Sequence, residues 1–184
     1  MKIIILHGWG QNSESWAHFT HKLGRDAFTI DMPGFGKEPL VKNDWSIPEY
    51  ARWVTKKISK YKDIILIGHS FGGRVAVEIA ARKPKCLHKL ILSGAPCLYR
   101  PTFSTRVKIK IFKLLKIFIP TKYRKLFYSD DLKKAGKLEK IFRQVVRYDQ
   151  TKQLQTIKVP TLLIWGENDQ QVPTYIAQEM KQLI

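Results

Sequence analysis

Five short apolar runs punctuate the chain, at 3–6, 27–31, 63–67, 87–92 and 161–165. Each has the length of a β-strand, and the first, four consecutive aliphatic residues, reads as a strand buried on both faces. Helical spacing fills the intervals. Residues 13–23 place Trp16, Phe19 and Leu23 at helical intervals behind Asn12 or Ser13 as N-cap. Ser46-Ile47-Pro48-Glu49 has the form of a capping box. The helix it opens runs to about residue 60, with Tyr50, Val54 and Ile58 on one face. Residues 71–82 form a third helix, stopped by Pro84. Residues 173–184 form a last one, with Ile176, Met180 and Leu183 aligned.

Strand and helix alternate through short connections. That order predicts an α/β fold, a doubly wound and mostly parallel sheet of five recognisable strands with helices on both faces. The rhythm fails once, between the runs at 87–92 and 161–165. There residues 98–158 read as two or more helices forming a cap inserted over the sheet. The 184 residues read as a single domain.

Charge changes this picture in one place. The formal net charge is +18, yet residues 98–158 hold 17 Lys and Arg against 4 Asp and Glu. Within them "TRVKIKIFKLLKIFIP", 105–120, gathers Arg106, Lys110, Lys113 and Lys116 on one helical side, with Val107, Ile111, Leu114, Leu115 and Phe118 largely on the rest. Two readings stay open. This is a lid helix packed over a cleft, or a helix lying on an anionic membrane surface. No recognised nucleic-acid reader accompanies the charge, so no nucleic-acid partner is expected. No apolar run approaches the ~20 residues that span a bilayer. The run after Met1-Lys2 is too short for the apolar region of a signal peptide. Cys86 and Cys97 lack metal-ligand spacing and are expected to be reduced thiols. The expected location is cytoplasmic.

The chemistry lies in "ILIGHSFGGRVAVEIA", 65–80. A serine hydroxyl needs a base to take its proton and donors for the oxyanion formed on attack. Gly68-His69-Ser70-Phe71-Gly72 is G-x-S-x-G between a predicted buried strand and a predicted helix, the setting that exposes a nucleophile on a tight turn. Ligand sites of open parallel sheets lie along that same C-terminal edge. Two further motifs fall there. "LHGWG" ends the first strand, and "LLIWGENDQQVP" ends the fifth and carries Asp169.

With these three motifs in this order, the chain resembles the α/β-hydrolase fold superfamily, the branch with an HG-x-G loop, a GHS-x-GG elbow and a G-x-x-D-x-x-VP acid loop. The resemblance spans nearly the whole chain and is weakest in the basic insert, the family's cap region. It implies Ser70 as nucleophile and Asp169 as triad acid. It implies the backbone N–H groups of Trp9 and Phe71 as oxyanion hole, and His7 as a brace for that loop. "DMPGFG", 31–36, is similar to the family's loop after its next strand, with a structural role. The implied activity is hydrolysis of a small-molecule carboxylic ester or related acyl bond, with no metal or organic cofactor.

The resemblance also implies a histidine after one more helix and strand beyond the acid. Fifteen residues follow Asp169 and read as a helix alone. His88 falls at the far end of the sheet. His18 and His21 lie on a solvated helix face, His69 is held in the elbow facing away from Ser70, and His7 belongs to the oxyanion loop. The expectation is a chain incomplete at its C-terminus, or a naturally shortened relative, without a base for Ser70 and with impaired activity. The alternative is a non-catalytic module that keeps the fold and binds a membrane surface or partner through its basic cap. Oligomeric state is not legible.

Overall fold

The structure is a computed structural model describing residues 1–40, 42, 44–101, 132 and 135–184. The cationic amphipathic segment 105–120 lies outside the described residues.

The five runs form β1 (Lys2–Leu6), β2 (Ala27–Ile30), β3 (Ile64–His69), β4 (Leu87–Ser93) and β5 (Thr161–Ile164). They build one sheet, ordered β2-β1-β3-β4-β5, with every neighbouring pair parallel. Among the described residues the helices are α1 (Ala17–Leu23), α2 (Ile47–Ile58), α3 (Phe71–Ala81), α4 (Glu139–Val145), α5 (Thr151–Leu154) and α6 (Thr174–Leu183).

Strand side chains alternate between the two faces. Ile4, Leu6, Ile64, Leu66, Leu90 and Leu92 join one buried cluster with the inner sides of α2 and α3. Ile5 and Ile67, paired in the register of β1 and β3, are buried on the other face. A central strand covered on both sides accounts for the unbroken Ile3-Ile4-Ile5-Leu6 run.

The capping box forms as its sequence predicts. The Glu49 carboxylate accepts the backbone N–H of Ser46 (2.6 Å) and its hydroxyl (2.8 Å). Tyr50, Val54 and Ile58 are fully buried. The first helix departs from expectation. The chain enters through a 3₁₀ turn, Glu14–Trp16, and α1 starts only at Ala17. Tighter 3₁₀ winding breaks the 3.6-residue spacing, and Phe19 and Leu23 are left 42% and 37% exposed while Trp16 packs edge-on to Phe19.

The sheet positions the site through one close approach. A β-carbon added to Gly72, in the first turn of α3, would overlap the backbone carbonyls of Leu6 and His7 at the end of β1. Gly73 meets Ala95 in the same way, after β4. The start of α3 therefore rests directly on the strand ends to either side. Gly72→Ala should lower stability by about 2 kcal/mol, the scale of backbone overpacking. Gly166→Ala, whose added carbon meets nothing closer than 4.0 Å, should be close to neutral. Urea midpoints of the two variants check this.

Candidate active site

Ser70 is the residue between β3 and α3, and its backbone sits at φ 49° and ψ −112°. Positive φ is costly for a residue with a β-carbon. The turn is held by neighbours: Ser70 N–H donates to Ser93 O (2.9 Å), and Gly73 N–H and Arg74 N–H return to Ser70 O (3.0 and 3.3 Å). Gly68 allows the crossing, since a β-carbon there would overlap Gly73 and the Gly72 carbonyl. The hydroxyl is thereby carried to the C-terminal edge of the sheet, at the N-terminus of α3.

The loop after β1 is braced from two sides. His7 is fully buried. Met32 N–H donates to its Nε2 (3.1 Å), so Nδ1 carries the proton and donates to Gly8 O (2.8 Å). Gly8 N–H donates to Gln11 Oε1 (2.9 Å), which also accepts the Trp16 indole N–H (3.1 Å). Asp31 anchors the next loop by accepting Ser13 N–H and Lys37 N–H. Burial pushes the Asp31 carboxyl up, but those N–H bonds outweigh it and hold the group below the usual carboxylate range. Trp9 stacks edge-on against Phe71 (5.3 Å between centroids) and Phe35 (5.1 Å). Among the described residues, neither the Trp9 nor the Phe71 backbone N–H has a hydrogen-bond partner.

Asp169 lies half-buried in the loop after β5. Its Oδ1 accepts the N–H groups of Gln171 and Val172 (both 2.9 Å), leaving Oδ2 facing Gly94. The His69 ring sits between Gly8 and Gly94, with Trp16 5.6 Å away. Its Nδ1 is 3.1 Å from Ser93 O, which makes Nδ1 the protonated nitrogen. Burial lowers the His69 pKa, against the Ser93 bond and the charge of Asp169. No histidine nitrogen bonds to Ser70 or Asp169 among the described residues. His88 pairs with Asp63 at the far end of the sheet (3.3 Å).

A cleft of about 820 Å³ opens beside Ser70, lined by Trp9, Phe71, Leu98, Phe142, Val145 and Val172 among others. Described residues of the 98–158 insert thus form part of its wall, and Phe142 stacks on Trp9 at 5.0 Å. A smaller hollow of about 240 Å³ runs along β2 beside Trp53, Lys57 and Lys60, away from the serine.

Some of the residues that shape the site escape sequence reading. Arg74, one turn into α3, is 4% exposed and donates to Tyr148 O (2.6 Å). Gln150 returns the contact, Nε2 to Arg74 O (2.9 Å). Arg100 and Asp149, at the two ends of the insert, pair at 2.7 Å, and Arg100 also grips Glu179 of α6 (2.6 Å). The one available signal was an arginine on an otherwise apolar helix start.

A strained serine between strand and helix thus stands beside two free N–H groups and a cleft, at the C-terminal edge of a parallel sheet. The alpha/beta hydrolase fold family matches residues 2–115, and the chain belongs to it. It is 28% identical over 209 residues to 2-hydroxy-6-oxononadienedioate/2-hydroxy-6-oxononatrienedioate hydrolase of Cupriavidus pinatubonensis, covering 93% of this chain and 71% of that protein. It is also 28% identical over 207 residues to pimeloyl-[acyl-carrier protein] methyl ester esterase of Hamiltonella defensa, covering 97% and 78%. Among solved structures, a putative lipase from Acinetobacter baumannii superposes with a TM-score of 0.74 at 23% identity, covering all of this chain and 72% of that one. That last likeness is one of fold.

The buried His7 and the half-buried His69 set a pH dependence. Burial is the largest influence on His7 and on His69, and both fold with pKa values below the ordinary 6.5. An unfolded chain therefore binds more protons than the folded one just below that value. Their contribution is complete above about pH 6.5 and is lost as the pH falls through 6.5 toward the lower folded values. The melting temperature should drop between about pH 7.5 and pH 5, and His7→Asn should flatten the slope. A level wild-type profile across that window contradicts the assignment.

Proposed function

We propose that the chain hydrolyses carboxylic esters or related acyl bonds through Ser70. The supporting observation is the strained Ser70 turn beside the unpartnered N–H groups of Trp9 and Phe71, at the mouth of the cleft. In this reading Ser70 Oγ attacks the ester carbonyl carbon. The oxyanion accepts from Trp9 N–H and Phe71 N–H, and the dipole at the start of α3 favours the same charge. The alcohol leaves with a proton, and water then releases the acid from the acyl-serine. Asp169, its Oδ1 tied down and Oδ2 free, is the acid that would orient a protonated imidazole.

The relatives' names suit this chemistry. One is an esterase of a methyl ester, and the other a hydrolase of an oxo-dienedioate. We favour the ester. No imidazole among the described residues bonds Ser70. Turnover by these 184 residues is therefore reduced to what binding and the oxyanion hole supply, roughly 10³–10⁴ over water. The surplus of cations in residues 98–158 supports a second reading, docking on an anionic membrane surface. Absence of co-sedimentation with phosphatidylserine vesicles at low salt rules it out.

The purified chain should release nitrophenol slowly from p-nitrophenyl butyrate and be labelled by a fluorophosphonate, and Ser70→Ala should abolish both. Imidazole added to the buffer should raise the wild-type rate above that of Ser70→Ala at the same imidazole concentration, which carries imidazole's own attack on the nitrophenyl ester. Equal rates and labelling in the two proteins overturn the reading.

A further inference from the structure

Among the described residues, the charged residues that line the cleft are all arginines. Arg74, Arg100, Arg143 and Arg147 contribute to its wall, and no described Asp or Glu does. Two of the four are neutralised. Arg100 bonds to Glu179 and Asp149, and Arg143 to Glu139.

Arg74 is different. It is nearly buried, and its bonds run to main-chain carbonyls, Tyr148 O at 2.6 Å and Val146 O at 3.5 Å. The acids around it are committed elsewhere. Asp149 spends Oδ2 on Tyr99 N–H and Arg100, and Oδ1 on the N–H and hydroxyl of Thr151. Glu78, one turn along α3, gives Oε1 to Arg82 and Oε2 to the Tyr148 hydroxyl. Arg147 is exposed and makes no ion pair among the described residues. Among the described residues, two guanidinium charges therefore stand in the wall without a carboxylate, on a chain of net charge +18. For the buried Arg74, taking its charge out of water is costly unless a counter-charge arrives. Guanidinium groups match the planar oxygens of carboxylates and phosphates.

We propose that Arg74 and Arg147 bind an anionic group, a carboxylate or a phosphate, at the far end of the acyl substrate whose ester lies against Ser70. The substrate is thus a half-ester: neutral and electrophilic at the serine, anionic at the arginine wall. Phe142 and Val145, which line the same cleft, cover the apolar chain. This rests on the hydrolytic reading above and adds the residues that select the substrate.

Calorimetric titration of the 184-residue chain tests it independently of turnover. The probes are suberate, octyl phosphate and the neutral dimethyl suberate. At least one anion should bind about tenfold more tightly than the diester, the scale of a charge-assisted hydrogen bond. Suberate alone assigns the site to carboxylates, and octyl phosphate alone assigns it to phosphates. Added salt should weaken that preference. Arg147→Gln should cut it several-fold, and Arg74→Met should remove most of it, with partial recovery in Arg74→Lys. Where Arg74→Met fails to fold by circular dichroism, Arg147→Gln and Arg74→Lys decide. Equal affinity for anions and diester, or a preference untouched by the variants that fold, overturns the proposal. Kinetics keeps this apart from the hydrolytic reading. Ser70-dependent turnover without preference for monomethyl over dimethyl suberate sinks the arginine site alone. Arginine-dependent binding of suberate with an unreactive Ser70 sinks the hydrolytic reading alone.

Discussion

The architecture of the site depends on a contact that a single methyl group would prevent. Gly72 lets the first turn of α3 rest against the carbonyls of Leu6 and His7 at the end of β1. Because β1 and β3 are neighbouring parallel strands in register, their ends lie side by side. The glycine contact removes the remaining space between them. The serine turn and the loop carrying Trp9 then become a single surface rather than two separate loops. Trp9 seals this surface by stacking on Phe71, and His7 fixes it from beneath by bonding to Met32. Strain at Ser70 survives because the surrounding backbone bonds over-determine it.

That dependence explains why the fold was legible in the sequence. Buried parallel strands read as apolar runs, and the capping box of α2 and the stop at Pro84 mark helix boundaries through local chemistry. G-x-S-x-G is likewise local: both glycines and the serine answer to one turn. Where legibility failed, the cause was non-local or a change of winding. The exposure of Phe19 and Leu23 follows from the 3₁₀ entry to α1, which no periodicity count registers. Arg74 stands in the sequence as an arginine on an otherwise apolar helix start. Its burial requires carbonyls supplied by Val146 and Tyr148, more than 70 positions away.

His69 illustrates the limit from the other side. Its place in the elbow was fixed by the motif, and the absence of a bond to Ser70 agrees with a ring held in the turn. What it packs against was not legible. The ring closes the gap between Gly8 and Gly94, on the flank where Asp169 approaches. A small residue there would leave a void beneath the loop after β1, so the imidazole acts first as a filler, with Nδ1 spent on Ser93 O.

Packing and charge converge at the neck of the insert. Arg100 leaves β4's end, Asp149 returns toward α5, and the two are joined to each other and to Glu179. Because Asp149 is consumed in that latch, it cannot also neutralise Arg74, although its charge is felt there. The neck therefore does two things at once. It fixes Phe142 and Val145 over the cleft, and among the described residues it leaves the Arg74 guanidinium in the cleft wall without a carboxylate. A neutral acyl chain would gain from the first effect only. A substrate with an anionic end would gain from both, and that asymmetry is a physical basis for choosing one acyl ester over another.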